Sequence, residues 1–181
     1  WFGMDFQNID AFRAVDVEPV AFRPSATPRV ALPQICHVID VSGGASRISI
    51  THAEVLRLSE HQAATLAMAG QVGSQVKIKV GSNWLVANVR CLTSVVAGED
   101  YTAEIDFLGE GDEERLTGRI YNFRRGVTSF PIPGMQVFPV SLEDMKQIYA
   151  ADDRPAIEIG TVYPTKDVRG TLYIDSMLGK H

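Results

Sequence analysis

Apolar and polar positions alternate most regularly through the middle of the chain. Val76, Ile78 and Val80 interleave with Gln75, Lys77 and Lys79, the period of two expected of a half-exposed strand. Gly81-Ser82-Asn83 then turns the chain into a second strand over residues 84–92. Gly98-Glu99-Asp100 turns it again. In the strand that follows, Tyr101, Ala103, Ile105 and Phe107 point one way and Thr102, Glu104 and Asp106 the other. Residues 109–114 read as an acidic, glycine-containing loop, and 116–123 as a further strand. Upstream, Ile35, Val38, Ile39 and Val41 form a near-continuous apolar run that predicts a buried strand over 30–41. Gly43-Gly44 turns it, and 47–50 returns as its partner. Residues 135–140 predict one more strand.

Two helical stretches interrupt this pattern. Ser59-Glu60-His61-Gln62 has the form of a capping box, which predicts a helix carrying Ala63, Leu66 and Ala67 on one face and stopping at Gly70. A short turn is expected before it, over 53–58. Ser141 is expected to cap a second helix over 142–149, with Leu142, Met145 and Ile148 on its inner face. The fold class is therefore mainly β: a small closed barrel of about six strands with a helical insert, since closure removes the exposed edges of so much strand. Residues 1–29 read as an extended arm whose Phe6, Phe12, Val20 and Phe22 can dock on the barrel or on a neighbouring subunit. Residues 30–150 form the barrel domain. The polar stretch 151–155, ending in Pro155, is a linker, and 157–163 opens a second unit.

Composition changes this picture little. The 181 residues, 45% hydrophobic and 22% charged, suit one domain with appendages. A net charge of −5 argues against this chain alone clamping nucleic acid, which calls for a basic face. No apolar run approaches the ~18 residues of a membrane span, and the N-terminus lacks the signal-peptide pattern, so cytoplasm is the expected location. Cys36 and Cys91 sit in apolar strand-like runs and are expected to be buried reduced thiols.

Candidate chemistry is sparse. The histidines His37, His52, His61 and His181 lack metal-binding spacing, and His52 and His61 are expected to face solvent. Glu104 and Asp106 alternate on an exposed strand face. There is no nucleophile elbow, and Gly179-Lys180-His181 lacks the upstream glycine and following Ser/Thr of a phosphate loop. No catalytic, metal or cofactor residues are expected in this chain. The informative charges are Arg124-Arg125, which follow Phe123 and precede a proline-rich turn, and the acidic run Glu110, Asp112, Glu113 and Glu114. Arginine suits bidentate pairing with carboxylates, so these two stretches are candidate subunit or partner contacts, one to the other across a ring.

Two strings carry a resemblance. The first runs from Gly160-Thr161-Val162-Tyr163-Pro164 through Val168-Arg169-Gly170-Thr171-Leu172-Tyr173 to Leu178-Gly179-Lys180-His181. It resembles the segment before the phosphate-binding loop in HerA-like ATPases of the FtsK–HerA superfamily. The second, Phe123-Arg124-Arg125-Gly126-Val127 with Phe130-Pro131-Ile132-Pro133-Gly134, is similar to the end of that family's N-terminal β-barrel. The resemblance implies a barrel followed by the first elements of an α/β RecA-like core, here 151–181, with Gly160, Tyr163, Pro164, Gly179, Lys180 and His181 as the lead-in. It implies a parent that is a hexameric, Mg-ATP-hydrolysing DNA translocase, whose motor rather than this barrel moves the DNA. It also implies a partner nuclease or defence effector docked on the barrel. The alternative is a free-standing barrel that holds a ligand or peptide in its mouth. An enzyme in its own right is the weakest option.

Overall fold

The computed structural model describes residues 33–42, 46–94, 96, 99–151 and 153–179. The expected arm, the Gly43-Gly44 turn, and Lys180 and His181 lie outside the described residues. Nine strands and four helices follow one another among the described residues. They are β1 (Cys36–Asp40), β2 (Ser46–Ile50), α1 (His52–Ser59), α2 (Ala64–Ala67), β3 (Gln75–Val80), β4 (Asn83–Thr93), β5 (Tyr101–Glu113) and β6 (Ile120–Arg125). After them come β7 (Gln136–Pro139), α3 (Leu142–Ile148), β8 (Ala156–Thr161), β9 (Arg169–Tyr173) and α4 (Ile174–Leu178).

The sheet runs β2-β1-β7-β3-β4-β5, and β2 pairs back with β5, so six antiparallel strands close into a barrel. The expected mainly β fold with a closed barrel and helical insert is present. Along its edge away from β4, β5 is long enough to serve two strands: its first half, from Tyr101 to Ile105, pairs with β2, and its second half, from Gly109 to Glu113, pairs with β6.

Alternation along each strand fills the barrel. Val38, Ile48, Ile50, Val76, Ile78, Leu85, Ala87, Ala103, Ile105 and Val137 point inward and are buried. Each large aliphatic chain so buried contributes about 1.5–3 kcal/mol. One end is closed by the insert, whose Leu58 and Ala69 join this core next to Ile50. Towards the other end, residues 126–135 pack the half-buried Val127 and Met135 against the core and set Phe130 edge-on to Phe107, centroids 5.7 Å apart.

A second core lies outside the barrel wall. Trp84, Val86 and Phe138, on the outward positions of β4 and β7, pack with Ile120 of β6 under Met145 and Ile148 of α3. Val162 and Val168 join the same cluster and hold the β8–β9 hairpin to the barrel.

Four expectations need correction. The insert's principal helix is α1, over the residues read as a turn. Thr51 is its N-cap, with Oγ1 accepting from the Glu54 amide. Ser59 is the last residue of that helix and donates to the Leu56 carbonyl, so it caps nothing that follows. The residues 63–67 form only the single turn α2, which has no side-chain cap, although the chain does reverse at Gly70, where φ is +80°. β3 is not half exposed, because Lys77 on its outer face is covered by α3. The acidic stretch is strand rather than loop: β5 continues through Glu113, and the turn occupies 114–119, so β6 starts at Ile120.

Candidate docking surface

The strand pair β5–β6 brings the two charged stretches together within one chain. Glu110 lies opposite Arg124, and Asp112 opposite Tyr121. The pair approaches closely because Gly109 and Gly111 carry no Cβ; one added at Gly109 would stand 2.1 Å from the Arg124 carbonyl oxygen. Phe123 turns inward and packs on the outer core.

The carboxylates of this pair are engaged locally. Glu110 is only 4% exposed, and its carboxylate accepts from the Thr128 amide (3.1 Å) and the Thr128 hydroxyl (2.8 Å). These bonds hold its pKa below the ordinary glutamate value, with a smaller contribution from Arg124. Asp112 accepts from Asn122 Nδ2 at 3.0 Å and stands 3.9 Å from Arg124. Asn122 takes a left-handed conformation, φ +51°, which twists β6 away from a regular edge. Glu113 pairs with Lys79 at 2.8 Å, and Glu114 accepts from the Thr117 hydroxyl. Arg124 and Arg125 remain on the exposed side of β6.

Beside this pair, α3 closes over the wall. Its N-cap Ser141 accepts from the Asp144 amide, and Asp144 accepts from the Ser141 amide in return, a complete capping box. Asp144 also accepts from the Ile120 amide at 2.9 Å and from Lys77 Nζ at 2.6 Å, both deep in the wall. Lys77 Nζ lies 4.5 Å from the centre of the Trp84 ring. One buried carboxylate thus fixes α3, β3 and β6 together. Sequence reading missed this junction.

Between the 114–119 turn and α3 is an open depression of about 590 Å³, bordered by Glu113, Glu114, Arg115, Arg119, Tyr121 and Glu143. Leu116, at the tip of the turn, is 81% exposed. An apolar residue inside the charged run Glu113-Glu114-Arg115-Leu116 was the one sequence signal for it.

The lead-in residues fall on a separate element. Gly160 is in β8, Tyr163 and Pro164 form a cis peptide in the hairpin connection, and Gly179 follows α4. The hairpin exposes Ile157 and Ile159, and Tyr163 lies beside Gly73 of the barrel. Of the other candidates, His37 and His61 are exposed, while His52 is not simply solvated, since its Nδ1 lies 2.7 Å from the Tyr101 hydroxyl. Cys36 is buried, which pushes its thiol pKa far up; Cys91 is half-buried rather than buried, and both thiols are free. Glu104 and Asp106 flank Arg90, at 2.9 and 3.6 Å. Among the described residues no group of His, Cys, Asp and Glu has metal-site geometry, and no helix is long and apolar enough to cross a membrane.

The chain matches no protein family model and no curated protein.

Proposed function

We propose that this chain is the N-terminal assembly and partner-docking barrel of a HerA-like DNA-translocating ATPase, working through its surfaces rather than by making or breaking bonds. The observation that carries this reading is the filled barrel. Ile48, Ile50, Ile78, Leu85 and Ile105 occupy its interior at essentially zero exposure, with Leu58 and Ala69 of the insert buried in the same core and Val127 and Met135 packed against it. A rigid, filled barrel offers its outside. The order of elements supports the same reading: the barrel is followed by a polar stretch and then by a distinct hairpin that carries the Gly160-to-Gly179 string. A ligand in the mouth of the barrel, the alternative, is less well supported, because that role calls for a concave apolar pocket where these side chains sit.

In this role the barrel holds subunits of a ring and presents a face to a nuclease or effector partner, while Mg-ATP and DNA are handled by the motor. The direct test is the reading frame. It is expected to continue into Gly-x-x-x-x-Gly-Lys-Ser/Thr within about ten residues of His181. A frame that continues without that motif overturns the reading. A second test is calorimetry with Mg-ATP: the 181-residue chain alone is expected to give no binding heat, and micromolar binding would assign the nucleotide site to this chain instead.

A further inference from the structure

Among the described residues the two apolar cores share no member. The inner one fills the barrel. β6, α3 and the connection from β8 to β9 place their buried apolar residues in the outer one instead. Ile120 of β6, Met145 and Ile148 of α3 and Val168 of the connection are buried there, with Phe123 and Val162 half-buried against them. β6 ends the sheet, paired as a strand with β5 alone, and its Ile120 amide donates to Asp144 of α3. Strand and helix therefore stand on the wall as one piece, and the hairpin shares their core rather than the barrel's.

The connection enters that core as a closed unit. The Val162 amide donates to the Val168 carbonyl at 2.9 Å, and the Thr165 amide to the Val162 carbonyl at 3.1 Å. The Thr165 hydroxyl accepts in turn from the Asp167 amide at 3.0 Å. Bonded across the loop in this way, the two valines seat or withdraw together. β8, exposed along its length, adds no buried residue of its own. Withdrawal opens the shared core to water, and the apolar residues left there lose part of the burial that holds β6 and α3 to the wall. The barrel interior keeps all of its own.

We propose that the hairpin controls the β6–α3 face. With Val162 and Val168 seated, β6 and α3 are held firm and present Arg124 and Arg125 in fixed positions; when the valines withdraw, strand and helix loosen while the barrel stays intact. The inference rests on the docking reading above and adds its regulation. In that reading the hairpin leads towards the motor, so a movement there is felt at the partner's face. The coupling is reciprocal: a partner that grips β6 and α3 tightens the hold on the hairpin by the same factor.

Hydrogen exchange on the 181-residue chain tests it. Val168→Ala is expected to speed exchange about tenfold across β8 and β9 and also in β6 and α3, with β1, β2 and β3 left at wild-type rates. Ile148→Ala, made from the other side of the core, is expected to speed exchange in β8 and β9 as well. Ile159→Asp, at an exposed position of β8 outside the core, is expected to leave β6 and α3 unchanged. Faster exchange confined to the hairpin in the Val168 variant, or absent from it in the Ile148 variant, overturns the coupling. So does exchange that rises equally in β1, β2 and β3, because hairpin, face and barrel would then open as a single unit. Loosening of β6 and α3 by Ile159→Asp also overturns it, since the effect would not run through the valines. None of these failures touches the ATPase reading. A frame without the Gly-x-x-x-x-Gly-Lys-Ser/Thr loop would instead remove that reading and leave the coupling standing.

Discussion

Lys77 and Asp144 are 67 residues apart in sequence and meet at 2.6 Å, both almost wholly out of contact with water. A buried ion pair contributes little against an apolar replacement, but breaking it from one side is costly, because the survivor keeps its charge without a partner. Asp144 does more than pair. It receives the Ile120 and Ser141 amides, so Asp144→Ala strands two donors as well as Lys77. We expect that substitution to cost about 3–5 kcal/mol in urea unfolding. Lys77→Met should cost clearly less, because Asp144 keeps both amides. Equal losses would show that the pair alone matters. Glu110 gives a pH counterpart. Its carboxyl titrates below the ordinary value because Thr128 donates to the charged form. With the folded pKa depressed, its contribution is fully present above the unfolded-state value, about 4.3, and is lost as pH falls through the folded one. Glu110→Gln should therefore flatten the acid limb of the stability profile and leave the neutral region's slope unchanged. A mutant profile parallel to the wild type would refute this. None of these roles was legible locally. Lys77 reads as an ordinary outward strand lysine because the period of two says which face it is on, not what covers that face.

At the scale of elements, the capping signal read from the sequence, Ser59-x-x-Gln62, has an unweighed counterpart of the same form eight residues upstream, Thr51-x-x-Glu54. Both satisfy the local pattern; burial of Leu58 against the barrel selects the upstream one. Thr51→Ala is expected to cost about 1 kcal/mol and Ser59→Ala almost nothing, as judged from thermal denaturation. The reverse order would restore the helix to residues 60–70. The acidic stretch was misread for a related reason. Glycine and carboxylates together look like a loop, yet here the glycines permit close strand approach, and Thr128, Asn122 and Lys79 answer the charges. Gly109→Ala should therefore force β6 off β5 at a cost of about 1–3 kcal/mol or more. Where long-range partners were not needed, the pattern sufficed. β2, β4, β7 and the Ser141-capped α3 all fall where alternation and capping put them.

Over the whole molecule, closure of the barrel was legible because short alternating strands with small turns leave few other ways to hide their edges. The second core was not, since it forms on outward positions that alternation assigns to solvent. That core sets how the hairpin is attached. β8 is exposed along its whole length, with Ile159 at 66%, so the hairpin has no core of its own. It is held through Val162 and Val168, and only Val168 of the two is fully buried. A lone two-stranded hairpin is marginal in water. Its order is therefore borrowed from the barrel wall, whereas the barrel, whose interior residues lie in a separate cluster, does not depend on it. Val168→Asp separates the two. A carboxylate at that position cannot be accommodated among Trp84, Val86 and Met145 without a partner, so the hairpin should leave the wall. Hydrogen exchange is then expected to show protection lost across β8 and β9 and retained in β3, β4 and the first half of β5. Loss of protection in both would mean that barrel and hairpin fold as one cooperative unit and that the outer core supports the inner one. Retention in both would mean that contacts besides Val168, such as Tyr163 beside Gly73, suffice to hold the hairpin in place.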